Sequence, residues 1–250
     1  MMPEAPVDRT AVAAAGNLPY PLDIDAVLFD LDGTLVDTAP DLAEALNGLR
    51  RDRGLQEMAL EALRPYASAG ARGLIGAGFD MKPDHPDYPN LRDAFLARYE
   101  SAICIASALF AEMEQVLAEL EARGLPWGIV TNKATRFTMP LMAALGLPYA
   151  PRVLVCGDTT PYSKPHPAPL LHAADLLGIA PARCLYVGDS ERDVMAGLAA
   201  GMQTIVARYG YIAPDEQPHS WQAHGHIERP RELLQWLPPA AGIKPDTRSR

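Results

Sequence analysis

The sequence predicts an α/β fold: a doubly wound parallel sheet of Rossmann-like order, with a small α-helical cap domain inserted after its first strand. Three observations predict it. Short apolar runs bounded by turn residues recur along the chain, amphipathic stretches at helical spacing lie between them, and the first gap between runs is much longer than one strand-helix-strand unit needs.

Residues 24–29 (IDAVLF) form a nearly continuous apolar run ending in an acidic, glycine-containing turn. Such a run marks a strand buried on both faces, and hence a parallel sheet with helices around it. Trp127–Val130, Val153–Val155 and 184–187 read the same way, and 204–206 is a weaker fifth. Helical spacing over 112–123 and 167–177 supplies connections. A βαβ unit takes ~30 residues, and the steps from Thr131 to Lys164 and from Lys164 to Asp189 keep that rhythm. From Asp32 to Thr131 roughly seventy residues are in excess, with helical patterns over 42–53, 57–66 and 91–105 and no convincing strand. The domains expected are therefore a helical cap at 38–109 and a core at 22–37 and 110–237. A flexible extension at 1–21 and a flexible tail at 238–250 flank them.

The 250 residues are 48% hydrophobic and 21% charged, a globular composition. Lys plus Arg number 22 against 31 Asp plus Glu, a net charge of -9, which argues against nucleic acid as a partner. An anionic ligand must then be held locally, by a few cations, a metal or backbone amides. Cys104, Cys156 and Cys184 are odd in number and in no CxxC spacing, so neither a disulfide framework nor a zinc site is expected, and a reducing cytoplasm is the simplest home. No segment approaches a membrane span, and the N-terminal stretch lacks the form of a signal peptide.

The chemistry gathers at strand ends, where open α/β sheets bind ligands. The first strand ends in DLDGT, placing Asp30 and Asp32 on one rim, although alone such a pair reads equally well as an acidic turn. The second ends in Thr131 and Asn132, a hydroxyl with backbone amides; Thr131 could instead cap the helix that follows. Then comes Ser163-Lys164-Pro165, and Lys164 is one of only four lysines against eighteen arginines. The last is GDSERD, in which Asp193 also stands at capping-box spacing from Ser190. Asp30 and Asp189 offer hard oxygen ligands suited to Mg2+, with the Asp32 carbonyl able to complete the protein's share. Lys164 and Thr131 are suited to grip a phosphoryl group. A carboxylate nucleophile beside a proton-donating carboxyl makes an aspartyl-phosphate mechanism available.

DLDGT, TN, SKP and GDSERD, in this order and spacing, closely resemble the haloacid dehalogenase superfamily of phosphohydrolases, over about residues 24–237. The resemblance implies Asp30 as nucleophile, Asp32 as general acid and base, and Thr131, Asn132 and Lys164 at the phosphate. It implies Mg2+ held by Asp30, Asp32 through its main chain, and Asp189, with Asp193 supporting. The presence of Asp32 points to the phosphate-cleaving branch rather than the dehalogenases.

Within that branch DLDGTLVDTAPDL and GLPWGIVTNKATRF are similar to phosphoglycolate phosphatases, which makes 2-phosphoglycolate the first expectation. Residues 68–73 (SAGARG) and 207–212 (ARYGYI) instead resemble the N-acetylmuramic acid 6-phosphate phosphatases of cell-wall recycling, a nearly equal alternative. A mutase of the β-phosphoglucomutase type shares the same four motifs and remains a third reading. Arg72, in the Gly70 to Gly73 stretch, is the candidate for pairing with a substrate carboxylate; it reads equally as a surface arginine. The expected partner is a small phosphate monoester, met by a monomer or homodimer.

Overall fold

The computed structural model describes residues 21–239. The expected extension at 1–21 and tail at 238–250 lie, apart from residues 21, 238 and 239, outside the described residues.

Strand β1 (Ala26–Phe29) is followed by a two-residue strand β2 (Val36–Asp37) and four helices, α1 (Ala39–Asp52), α2 (Leu60–Leu63), α3 (Gly70–Phe79) and α4 (Tyr88–Ser101). A 3-10 turn at Arg64–Ala69 joins α2 to α3. The chain returns through β3 (Ala108–Leu109), then α5 (Met113–Arg123), β4 (Trp127–Val130), α6 (Thr135–Leu145), β5 (Val153–Val155) and α7 (Ala168–Leu177). It continues through β6 (Cys184–Gly188), α8 (Glu191–Ala199), β7 (Gln203–Ala207) and β8 (Gly225–Ile227). Six strands form one sheet in the order β5-β4-β1-β6-β7-β8, every pairing parallel. The four strongest apolar runs are β1, β4, β5 and β6, and 204–206 is β7.

Alternation along the central strand divides the core. Val27 and Phe29 pack with Trp127, Ile129, Leu185 and Val187 against α5 on one face. Ala26 and Leu28 pack with Val130 and Tyr186 against α7 and α8 on the other. Successive side chains of a strand point to opposite faces, so one strand with no polar residue must be covered twice.

The excess between Asp32 and Thr131 is the four-helix layer α1–α4, which builds its own apolar cluster around Leu46, Leu63, Ile75, Phe95 and Tyr99. It leaves and rejoins the sheet through β2 and β3, which pair antiparallel, Val36 opposite Leu109 and Asp37 opposite Ala108. Asp41, on the first turn of α1, accepts the amides of Ile105, Ala106 and Ser107 at 2.8–3.2 Å, so one carboxylate ties the exit of the insertion to its entry.

Several sequence expectations move. The third helical pattern of the insertion, 91–105, begins earlier and stops at Ser101, and Asp41 captures amides that follow in place of further helical turns. The pattern over 57–66 becomes the short α2 plus a 3-10 turn, because Pro65 follows Arg64 and breaks the α-helical ladder. Residues 70–73, expected as a glycine loop, form the first turn of α3. The two-residue strands are too short for periodicity to reveal, and β8, Gly-His-Ile, is as short as β5 but makes no apolar run.

Candidate active site

Asp30 follows β1 directly and its amide donates to Val187 of the neighbouring strand. The chain then turns sharply at Gly33, whose φ is +86°. A Cβ there would come within 2.1 Å of Asp189 Oδ2, so the first loop can lie against Asp189 only with glycine at this place. Gly210 does the same from the other side, since its Cβ would fall 2.3 Å from the Asp189 Cβ. Two glycines thus let two loops close around one carboxylate.

Lys164 is the hub. Its Nζ lies 2.8 Å from Asp30 Oδ1 and 2.7 Å from Asp193 Oδ1, and donates to the Val130 carbonyl and the Tyr186 hydroxyl. Burial would strip the ammonium of its proton, but the charges of Asp193 and Asp30 hold the proton on and raise its pKa. For Asp193 burial acts upward and Lys164 downward, and the lysine wins, leaving that carboxyl below its ordinary value. Both readings of Asp193 are realised at once. Its Oδ2 accepts from the Ser190 amide and hydroxyl in a capping box, while its Oδ1 meets Lys164.

The other two carboxyls are pushed the opposite way. Burial raises Asp30 to about 6, with Lys164 pulling against it. Asp189, wholly buried and facing the charges of Asp30 and Asp193, is raised to about 8. It accepts from Thr34, Ser68 and the Tyr211 amide, yet no cation pairs with it among the described residues. Oxygens of Asp30, Asp189 and Asp193 lie within 4.8 Å of one another. An all-carboxylate set whose members burden each other fits a hard divalent cation. Asp193 already has a buried cation on one oxygen and the capping box on the other, whereas Asp189 has no cation, so Asp30 and Asp189 are the natural ligands and Asp193 stands behind them.

Asp32 has its own partner, which motif reasoning did not supply. Lys133 Nζ lies 2.9 Å from Asp32 Oδ1, and Thr38 donates to the same oxygen at 2.6 Å. The Lys133 ammonium also sits over the Tyr99 ring, 4.8 Å from its centroid. Burial opposes that charge, but Asp32 overrides it and holds the ammonium charged. The available signal was the scarcity of lysine: two of four stand beside the two acids of the first loop.

Thr131 and Asn132 both line the cavity, and their side chains also have partners within the chain. The Asn132 side chain clamps the Lys164 main chain, accepting from its amide and donating to its carbonyl at 2.9 Å each. Its amide group therefore fixes the lysine's loop. Thr131 does not cap α6; its hydroxyl accepts the Lys133 amide, and Asp158 accepts from Thr135 at the helix start. Arg72 is exposed and outside the cavity, because the turn of α3 that carries it presents Ala69, Gly70 and Ala71 to the site instead. The arginine that does line the cavity is Arg192, whose Nη2 donates to the Ser68 carbonyl at 2.7 Å.

The cavity, about 390 Å3, opens between the sheet edge and the helical insertion. Asp30, Asp32, Thr131, Lys133, Lys164 and Asp193 form its polar end, and Leu42, Phe95, Leu96, Tyr99 and Phe137 its apolar wall. A family model for haloacid dehalogenase-like hydrolases matches residues 24–201, a span holding all four strand-end motifs. The chain belongs to the haloacid dehalogenase-like hydrolases.

Relatives in this family cover nearly the whole described fold. The chain is 43% identical over 214 residues to the N-acetylmuramic acid 6-phosphate phosphatase of Pseudomonas aeruginosa, covering 86% of this chain and 95% of that one. It is 44% identical over 215 residues to the phosphoglycolate phosphatase of Xanthomonas campestris pv. campestris, covering 86% and 96%. Among solved structures, one from Haemophilus somnus 129pt, described as a predicted phosphoglycolate phosphatase, superposes with a TM-score of 0.74 at 27% identity. That match covers 85% of this chain and 97% of the other.

Proposed function

We propose that the protein is a phosphomonoesterase acting through an aspartyl-phosphate, with a carboxylated sugar phosphate of the N-acetylmuramic acid 6-phosphate kind as substrate. The observation that carries the reading is the cavity, in which three acids and two lysines at one end face an apolar wall contributed mostly by the insertion, here the cap. A volume of about 390 Å3 lies in the range of pockets that enclose drug-sized ligands, roughly 300–1,000 Å3, and suits a sugar better than a two-carbon acid. This reverses the order expected from the motifs alone. Phosphoglycolate stays as the second reading, favoured by the name of the Xanthomonas relative.

In this reading a carboxylate oxygen of Asp30 attacks phosphorus and the bond to the leaving alcohol breaks. Asp32 gives that alcohol its proton; Thr38 and Lys133 hold its Oδ1, which leaves Oδ2 for the proton. A water then attacks the acyl phosphate, Asp32 takes the water's proton, and phosphate departs with Asp30 restored. Lys164 bears on the transferring oxygens, and the Asn132 clamp keeps its loop from drifting. Mg2+, held by Asp30 and Asp189 and, through its main chain, Asp32, would supply positive charge where negative charge develops.

The test is phosphate release with Mg2+ from N-acetylmuramic acid 6-phosphate and 2-phosphoglycolate side by side, with a hexose 1-phosphate and its bisphosphate activator as the mutase control. A kcat/KM at least ten times higher for the sugar acid is expected. A clear preference for phosphoglycolate would transfer the assignment to the second reading, and isomerisation dependent on the bisphosphate would overturn both.

A further inference from the structure

Three cations line the cavity, Lys133, Lys164 and Arg192. Two are already matched with carboxylates of the chain. Lys133 pairs with Asp32, and Lys164 with Asp30 and Asp193. Arg192 has no carboxylate partner among the described residues, and the one hydrogen bond it makes runs from Nη2 to the Ser68 carbonyl at 2.7 Å.

That bond matters for where the guanidinium is held. Within the first turn of α8, Asp193 is buried on Lys164, whereas Arg192 is half-buried and crosses to the 3-10 turn of the cap. The arginine spans the seam between core and cap, fixed by one donor, with its remaining donors uncommitted to any acid of the chain. A planar guanidinium anchored at one edge is pre-organised to take a carboxylate at the other. A solvated surface arginine would be neither anchored across a domain seam nor part of a cavity wall. The setting also favours such a group: in a protein of net charge -9 whose cavity holds Asp30, Asp32 and Asp193, a substrate carrying both a phosphate and a carboxylate is best met by a cation not already neutralised.

We infer that Arg192 is the specificity-determining residue that pairs with the carboxylate of the substrate's leaving group, the part assigned from sequence to Arg72. This rests on the proposed carboxylated substrate. Selectivity then depends on α8 of the core, one residue from the lysine-bound Asp193, and cap and core both shape the receptor because Ser68 orients the arginine.

The experiment uses matched pairs differing only in the carboxylate-bearing group. N-acetylmuramic acid 6-phosphate is compared with N-acetylglucosamine 6-phosphate, which lacks the lactyl ether, and phosphoglycolate with ethyl phosphate. In the wild type kcat/KM favours the acidic member. In Arg192→Ala that preference shrinks by about 10- to 100-fold, mostly through KM, as expected for a lost hydrogen bond between charged groups. Arg192→Gln, polar but uncharged, shows the same loss if charge is what counts and guards against a folding defect. An unchanged preference in both variants overturns the inference, as does a wild type that handles acidic and neutral members alike. If only the two-carbon pair is hydrolysed, the sugar reading falls and Arg192 is judged on that pair; if neither pair is hydrolysed, both fall.

Discussion

Lys133 Nζ lies 2.9 Å from Asp32 Oδ1, joining the end of β4 to the loop after β1 across 101 positions of sequence. Both side chains are largely buried, at 8% and 15% exposure, so the pair is screened little and its geometry is held. One oxygen of Asp32 is thereby occupied and the other left for the proton transfer proposed above. Lys133→Met keeps the apolar stem and removes the charge. We expect kcat to fall about 10- to 100-fold, a fraction of what a positioned acid-base group contributes, with a smaller change in KM. If kcat holds and only thermal stability drops, the lysine is structural.

Asp30→Asn should abolish turnover, by more than about a thousand-fold, since an amide cannot form the acyl phosphate. Substrate affinity, followed by calorimetry, should persist because Lys164 and Arg192 remain. Near-normal turnover in metal-saturated Asp30→Asn would exclude the aspartyl-phosphate.

The raised acids predict how the metal-free protein responds to pH. Unfolded, Asp30 and Asp189 titrate near 4; folded, burial holds their protons up to about 6 and about 8. Between those limits the folded state binds more protons than the unfolded state, so stability falls as pH rises from about 4 to about 8. Asp193, lowered by Lys164, acts oppositely and only below about pH 4. A divalent cation on Asp30 and Asp189 takes the place of those protons. Excess Mg2+ should therefore raise Tm more at about pH 8 than at about pH 5. An equal gain at both values, or a Tm flat across the window in EDTA, counts against a carboxylate metal site here.

The sheet was legible because β1, β4, β5 and β6 are buried on both faces, which compels unbroken apolar runs that nothing else in a chain of this size produces. The candidate site was legible for a related reason, since Asp30, Thr131, Lys164 and Asp189 each follow one of those runs or its connection. Partners joined across the fold were not. Lys133 meets Asp32 only because β4 lies beside β1, and Arg192 reaches Ser68 only because a cap turn comes down onto α8. Arg72 shows the converse limit. A glycine-flanked arginine suggests a flexible binding loop, yet the same glycines start α3, and one position along a helical turn decides whether a side chain enters the cavity or solvent.

The last prediction concerns the joint between cap and core. The Tyr211 hydroxyl accepts the amides of Thr38 and Ala39 at 2.7 and 2.9 Å, satisfying two donors at the start of α1 that no side chain of that helix caps. The same hydroxyl donates to Asp37 Oδ1, which Arg64 of the cap also holds at 2.7 Å, while the Tyr211 amide donates to Asp189. One residue therefore ties the hinge strand, the first cap helix and the buried acid. Tyr211→Phe keeps the ring and the bond to Asp189 but leaves the Thr38 amide unpaired and the Ala39 amide with only Asp37 Oδ1 at 3.3 Å, at a cost of about 1–3 kcal/mol. For a domain of this size that corresponds to a Tm lower by roughly 2–12 °C. Because the Asp189 contact survives, the Mg2+-dependent gain in Tm should remain while the baseline falls. A variant as stable as the wild type would mean that water satisfies α1 without the tyrosine, and loss of the Mg2+ response would mean that the hydroxyl network, rather than the Tyr211 amide, keeps Asp189 in place.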